Sequence, residues 1–209
     1  MVMKERKIKV LIFLAVLSGG VLLISNIAAT KLWDFCGIAV DGGIVIFPLS
    51  YILGDVIVEL FGRKMARQII WAGFTLSALA MISLFAVQAL PVYGETPDSI
   101  AALGLAPRIV IGSLLSYVAS QLINNLVFEK IKKKTRGKFF AMRALGSSAV
   151  ARLIDSAIFE IIAFLGVLSF GEFLAQASFA YVAGMVLEVI LSPLTYLIAK
   201  KLDLIISKK

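Results

Sequence analysis

Of 209 residues, 60% are hydrophobic and 16% charged, and the mean hydropathy is +0.98, far above that of an ordinary soluble domain. Most of the chain must sit in lipid, and the longest stretches between apolar runs, about seventeen residues, are well below the ~50 that a soluble catalytic or binding domain needs. Cys36 is the single cysteine and there is no His, which excludes an intrachain disulfide and the usual zinc, haem and iron–sulfur ligand sets, so no cofactor is expected.

About twenty apolar residues, rising about 1.5 Å each, cross a hydrocarbon core of about 30 Å. Six segments meet that description, at residues 9–29, 44–61, 67–90, 107–129, 145–168 and 177–199. They predict an all-α membrane protein, one domain over 1–209, built as a bundle of about six transmembrane helices.

The first segment follows Lys4, Arg6, Lys7 and Lys9 and imitates a signal peptide. Its apolar run exceeds the usual ~7–15 residues, however, and five more spans follow, so it reads as the first membrane helix. Residues 31–43, with Gly37, Gly42 and Gly43, form an external turn, either a small hairpin or a re-entrant piece. In the second segment Tyr51, Asp55 and Glu59 share a face at i, i+4 spacing, and Asp55 falls about 16 Å from the helix start if counted from residue 44. Pro48 is expected to bend that helix. Segment 91–107, with Pro91, Pro97 and Pro107, reads as an external loop that cannot continue either neighbouring helix.

The fourth segment places Gln121, Asn124, Asn125 and Phe128 on one facet, and the fifth places Arg152, Asp155, Ser156 and Phe159 along one stripe with Glu160 further out. The sixth puts Glu188 near mid-depth, spaces Ala180 and Gly184 for close packing against a neighbour, and carries Pro193. An ionisable group near the bilayer centre costs at least ~2.5 kcal/mol on insertion scales and must face protein or water. The polar facets of helices 2, 4 and 5 are therefore expected to converge on a cavity. A purely structural role is also open to them: Arg152 can pair with Asp155 or Glu188, and Glu59 lies near Arg63 and Lys64 at the membrane interface. Residues 120–128 echo 151–159 at a constant offset of 31, as inverted repeats around a midplane site would.

Eighteen of the twenty-one Lys and Arg residues fall before the first segment, at 63–67, at 130–143 and after the last segment. The positive-inside rule then places both termini in the cytoplasm, the chain being multi-pass in the inner membrane. The same rule accounts for the net charge of +8 and for the basic run from Lys130. Lipid head groups are secondary contacts of that run, and no nucleic-acid partner is expected.

The run Asn26-Ile-Ala-Ala-Thr-Lys31, the block Gly43-Ile-Val-Ile-Phe-Pro-Leu-Ser-Tyr-Ile-Leu-Gly-Asp-Val-Ile-Val-Glu-Leu-Phe-Gly62, Ala66-Arg67 and Ile70-Trp71-Ala-Gly-Phe74 closely resemble the queuosine precursor transporter family, also called the vitamin uptake transporter family. Ser120-Gln121, the basic stretch ending at Arg143, and Leu153-Ile-Asp155 with Phe159 resemble its second half. The chain departs from the family pattern at Asn124, where an acidic residue is usual, and at Arg152, where Gln is common. The resemblance implies uptake of 7-deazaguanine compounds, the cyano and aminomethyl precursors of queuosine. A carboxylate can accept the paired N–H donors of a guanine-like edge, Asn and Gln can serve its carbonyl and ring nitrogens, and aromatic faces can stack on the ring. Asp55, Asp155, Asn124, Gln121, Tyr51 and Phe47 supply those groups, with Glu59, Glu188, Arg152 and Asn26 as further candidates.

An alternative is a substrate-binding membrane subunit of an ATP-driven vitamin or nucleobase uptake system, docked to a separate energising module. No GxxxxGK[ST] loop occurs in the chain, so ATP hydrolysis by that route is not its own. A homodimer is also open. An intramembrane enzyme is disfavoured by the lack of His, of a metal motif and of a GxSxG nucleophile.

Overall fold

The computed structural model describes residues 2–29, 31–91, 107–166 and 169–207. Among them are six α-helices: α1 (Val2–Ala28), α2 (Pro48–Phe61), α3 (Arg63–Gln88), α4 (Pro107–Lys134), α5 (Phe140–Phe164) and α6 (Phe170–Ser207). Strands β1 (Leu32–Phe35) and β2 (Ile38–Asp41) pair antiparallel between α1 and α2, and a short 3-10 turn, Gly42–Val45, leads into α2. The protein is an all-α membrane protein with this one small hairpin added. Most of the expected loop at 91–107 lies outside the described residues.

Four helices are long and apolar enough to cross a membrane: Glu5–Ala28, Arg63–Val87, Ile111–Lys134 and Phe170–Ser207. The other two depart from the expected six equal spans for different reasons. α5 has the length, with 25 residues, but carries Arg143, Arg152, Asp155 and Glu160. α2 has only 14 residues, about 21 Å at ~1.5 Å per residue, short of a core of about 30 Å. It starts late because Pro48 occupies its first turn, where the missing N–H costs no helix bond. Pro48 therefore begins α2 and does not bend it, and Asp55 lies at the middle of a short helix.

The ends of the other helices shift for equally local reasons. Gly62 (φ 81°, ψ 166°) alone separates α2 from α3, so Arg63, Lys64 and Arg67 form the first turns of a helix and not a loop. The basic run from Lys130 to Lys134 continues α4, and the turn to α5 is confined to residues 135–139, with Arg136, Gly137 and Phe139 at positive φ. Basic side chains suit the last turn of α4, where the helix dipole is negative. In α6, Pro193 lies inside a continuous helix. The Val189 carbonyl that Pro193 cannot serve accepts instead from Ser192 Oγ at 3.0 Å, as hydroxyls do in membrane helices.

The hairpin resolves the choice left open for residues 31–43. Cys36 and Gly37 both have positive φ, 54° and 84°, as the two central residues of a type I′ turn require. Asp34 Oδ1 accepts from the Gly37 N–H at 3.0 Å, and Phe35 packs on Phe179 of α6 at 5.1 Å between ring centres.

Packing is the reverse of a soluble bundle. Ile12, Phe13 and Val16 of α1, Leu79 and Ile82 of α3, and Ile190 and Leu197 of α6 are exposed, whereas Arg143, Gln121, Asn124 and Asn125 are among the most deeply buried side chains. Apolar faces meet lipid and polar faces meet one another. α4 and α5 form the most extensive helix pair. They run antiparallel, with Gly112 against Phe159, Ser120 against Asp155 and Gly146 against Ile131. An apolar cluster of Leu14, Val56, Ile57, Phe128, Ala144 and Ala199 fills the half of the bundle that holds the two termini. The opposite half, under the hairpin, keeps a smaller apolar cluster around Met81 and is otherwise polar.

Candidate functional site

A cavity occupies that polar half. Its wall is built by the end of α1 (Ser25, Asn26, Ala29), the entry to α2 (Gly43, Ile44, Phe47, Pro48), the first turns of α4 (Ser113, Ser116), the second half of α5 (Arg152, Asp155, Ser156, Phe159, Glu160) and Ala180 of α6. Five segments of chain thus meet at one space, and three of them, in α1, α4 and α5, contribute polar or charged side chains.

Two charged groups define its floor. Arg152 Nε donates to Glu188 Oε2 at 2.9 Å, and the guanidinium lies 4.5 Å from the centre of the Tyr51 ring. Of the partners open to Arg152 from spacing alone, it takes Glu188 on α6, not Asp155 on its own helix. Gly184 makes this possible, because a methyl group there would overlap Arg152 Nη1. The close packing expected from Ala180 and Gly184 is therefore against α5 of the same chain. Asp155 accepts from Ser120 Oγ at 3.2 Å, with Ser116 and the Tyr51 hydroxyl beside it. A carboxylate surrounded by hydroxyl donors and facing a cavity can accept paired donors from a ligand.

Below the floor the polar residues continue beyond the lining of the cavity. Asn124 Nδ2 donates to Asp55 Oδ1 at 2.9 Å, and Gln121 Nε2 donates to Ser50 Oγ at 3.2 Å. Asp55, Tyr51, Gln121, Asn124 and Asn125 are all buried to 2% exposure or less. The expected convergence of helices 2, 4 and 5 is present, yet Asp55 and its neighbours pack against each other behind the cavity wall. Asp55 takes Asn124 as its partner and makes no ion pair with Arg152.

One turn further along α2, Glu59 pairs with Arg143 at 2.9 Å and with Lys132 at 2.8 Å. Arg63 and Lys64, its expected neighbours, do not fill that role, and Arg63 reaches Glu129 instead. Arg143 is buried between the Phe128 and Phe140 rings, 5.2 and 5.3 Å from their centres. Phe47, at the entry to α2, and Tyr51, Asp55 and Glu59 thus form one stripe that passes from the cavity wall to the terminus-bearing end, the last three each meeting a different polar partner.

Residues 41–198 match the family model described as "Putative vitamin uptake transporter". The chain belongs to this family. A curated relative from Bacillus subtilis (strain 168), named "Probable queuosine precursor transporter", is 29% identical over 150 residues, covering 68% of this chain. The chain spans 64% of that relative's length. No solved structure matches. Both descriptions are of transporters, not enzymes, and the vitamin uptake transporter match spans the hairpin's last residue, the whole of α2 to α5 and most of α6.

Of the ten residues singled out from sequence, Asn26, Phe47, Arg152 and Asp155 line the cavity of this member of the vitamin uptake transporter family, and Glu188 and Tyr51 support its floor. Asp55, Asn124, Gln121 and Glu59 lie beyond it. Ser25, Ser113, Ser116, Ser156, Phe159 and Glu160 line the cavity without having been selected as site residues. A signal was present for the serines: Ser113, Ser116, Ser120 and Asn124 recur every three or four residues along one face of α4. Arg143 was counted only as a loop charge, and nothing in its local sequence distinguishes it from its exposed basic neighbours.

Proposed function

We infer that the chain is a multi-pass inner-membrane carrier that imports a queuosine precursor of the 7-deazaguanine type, both termini lying in the cytoplasm. The observation that carries this reading is a membrane-embedded cavity with a carboxylate and a guanidinium side by side, in a member of the vitamin uptake transporter family whose curated relative is named for queuosine precursors. Asp155 accepts the paired N–H donors of a guanine-like edge, Asn26 and the serines of α1 and α4 serve the remaining polar atoms, and Phe47 and Phe159 offer faces to the ring. Arg152, held by Glu188 and Tyr51, meets the carbonyl or ring nitrogen side.

The test is nutritional. Cells unable to make queuosine precursors but expressing this chain recover queuosine in their tRNA when given the cyano compound at low concentration. Absence of recovery, with the protein shown to be in the membrane, overturns the assignment. Running the same assay in a host without any ATP-driven vitamin-uptake module separates a stand-alone carrier from a binding subunit. Asp155→Asn keeps the shape but turns one acceptor into a donor, so uptake affinity falls about 30-fold or more, the loss of a charged contact worth ~2 kcal/mol or above.

A further inference from the structure

Behind the cavity, where α2 crosses α4, a carboxylate and several amide oxygens are gathered with too few donors. Asp55 Oδ1 has the Asn124 amide, but Asp55 Oδ2, Asn124 Oδ1 and Asn125 Oδ1 are buried with no hydrogen-bond partner, three acceptors against one equally unpartnered donor group, Asn125 Nδ2. Gln121 Oε1 is part of the same group. A Cβ placed on Gly54 would lie 3.0 Å from it and 3.9 Å from Asn125 Oδ1 and from Asn124 Nδ2. Asp55, Asn124 and Asn125 are each exposed by 1% or less.

Charge sharpens the imbalance. Arg152 pairs with Glu188, and Arg143 and Lys132 share Glu59, so none of these cations reaches Asp55, whose carboxylate has no ion-pair partner within 4 Å. A buried, uncompensated carboxylate facing further acceptor oxygens is unfavourable by several kcal/mol. A bound cation removes both costs at once. One carboxylate balances one positive charge, and a divalent ion would leave the site positive. An all-oxygen set of one carboxylate and amide carbonyls suits a hard ion. A proton would satisfy Asp55 Oδ2 and one amide oxygen only.

We propose that Asp55, Asn124 and Asn125, with Gln121 beside them, bind a sodium ion that couples to transport. Asp55 lies one helical turn from Tyr51, about 6 Å along α2, and Tyr51 carries the Arg152 guanidinium of the cavity floor. The ion clamps α2 to α4 and so fixes the position of that floor. This inference deepens the carrier reading, but the ion's binding is measurable without any transported substrate.

The full chain, purified in detergent, is melted in sodium chloride and in equal concentrations of potassium or choline chloride, and binding of radioactive sodium is measured in parallel. Sodium is expected to raise the melting temperature saturably while potassium and choline do not. Asp55→Asn abolishes the response, and Asn125→Leu, which keeps the carboxylate, weakens sodium binding on the order of tenfold to a hundredfold. Identical melting in all three salts overturns the proposal. So does a sodium response left intact in Asn125→Leu, which carries the test should Asp55→Asn not fold, and so does stability that follows pH but not sodium, since a proton then holds the place. Sodium binding without uptake of the deazaguanine probe defeats the substrate assignment alone, and uptake indifferent to sodium defeats the proposed coupling while leaving the substrate assignment intact.

Discussion

The guanidinium of Arg152 rests on three neighbours: the Glu188 carboxylate, the Tyr51 ring and the bare backbone of Gly184. Because both charges are buried, removal of either one leaves the other unmatched, which costs about 3–5 kcal/mol, whereas removal of both is far milder. Arg152→Gln and Glu188→Gln are each expected to lower the melting temperature and membrane abundance, and the double variant to recover part of the loss. A double-mutant cycle on melting measures it, and additive losses would contradict the pairing. Gly184→Ala acts on the same pair from the far side. It forces Arg152 to shift at a cost of about 1–3 kcal/mol, and the effect is expected to shrink in an Arg152→Gln background. The pairing was one of two legible alternatives in the sequence, since Asp155 at i+3 was as eligible as Glu188. Only the packing of α5 on α6, with a glycine at the crossing point, selects between them.

At the scale of the elements, a glycine and a proline govern how α2 is placed. Gly62 holds φ 81° and ψ 166° with nothing within 4 Å of a would-be Cβ, so its role is conformational and not steric. Gly62→Ala is expected to cost about 1–3 kcal/mol through backbone strain. Gly20, in the middle of α1 and equally uncrowded, is the control: Gly20→Ala should be neutral or stabilising by up to about 1 kcal/mol. Equal melting shifts in the two variants would sink this reading. The apolar runs make all six helices legible in the sequence, but their ends were misplaced where polar residues are compatible with helix. Lys130–Lys134 and Arg63–Lys64 look like loop by hydropathy, yet long basic side chains extend past the lipid and let the helix continue into water.

For the molecule as a whole, the proposed orientation rests on which end bears the charge. Arg63, Lys132, Lys133, Arg143 and Lys200 all gather at the end that holds the termini, around Glu59, Glu129 and the neighbouring grooves, and the hairpin occupies the other. The chain carries its own reporter of this arrangement, because Cys36 is unpaired and exposed at the hairpin turn. A membrane-impermeant maleimide is expected to label the unmodified protein in intact cells. Labelling only after the membrane is opened would reverse the orientation. Composition and period sufficed for an all-α membrane protein, and the family was readable in the block from Gly43 to Gly62, because both are properties of neighbours along the chain. Which buried polar groups face an open cavity was not. Asp55 and Asp155 look alike in sequence, each a mid-helix carboxylate on a polar facet, but α4 lies close over α2 at Gly54, and Asp55 stays outside the cavity lining. Asp155 instead lines the cavity, together with the end of α1 and the entry to α2. That difference depends on interhelical distances of a few ångströms, which arise from contacts between residues some seventy positions apart and have no trace in local pattern.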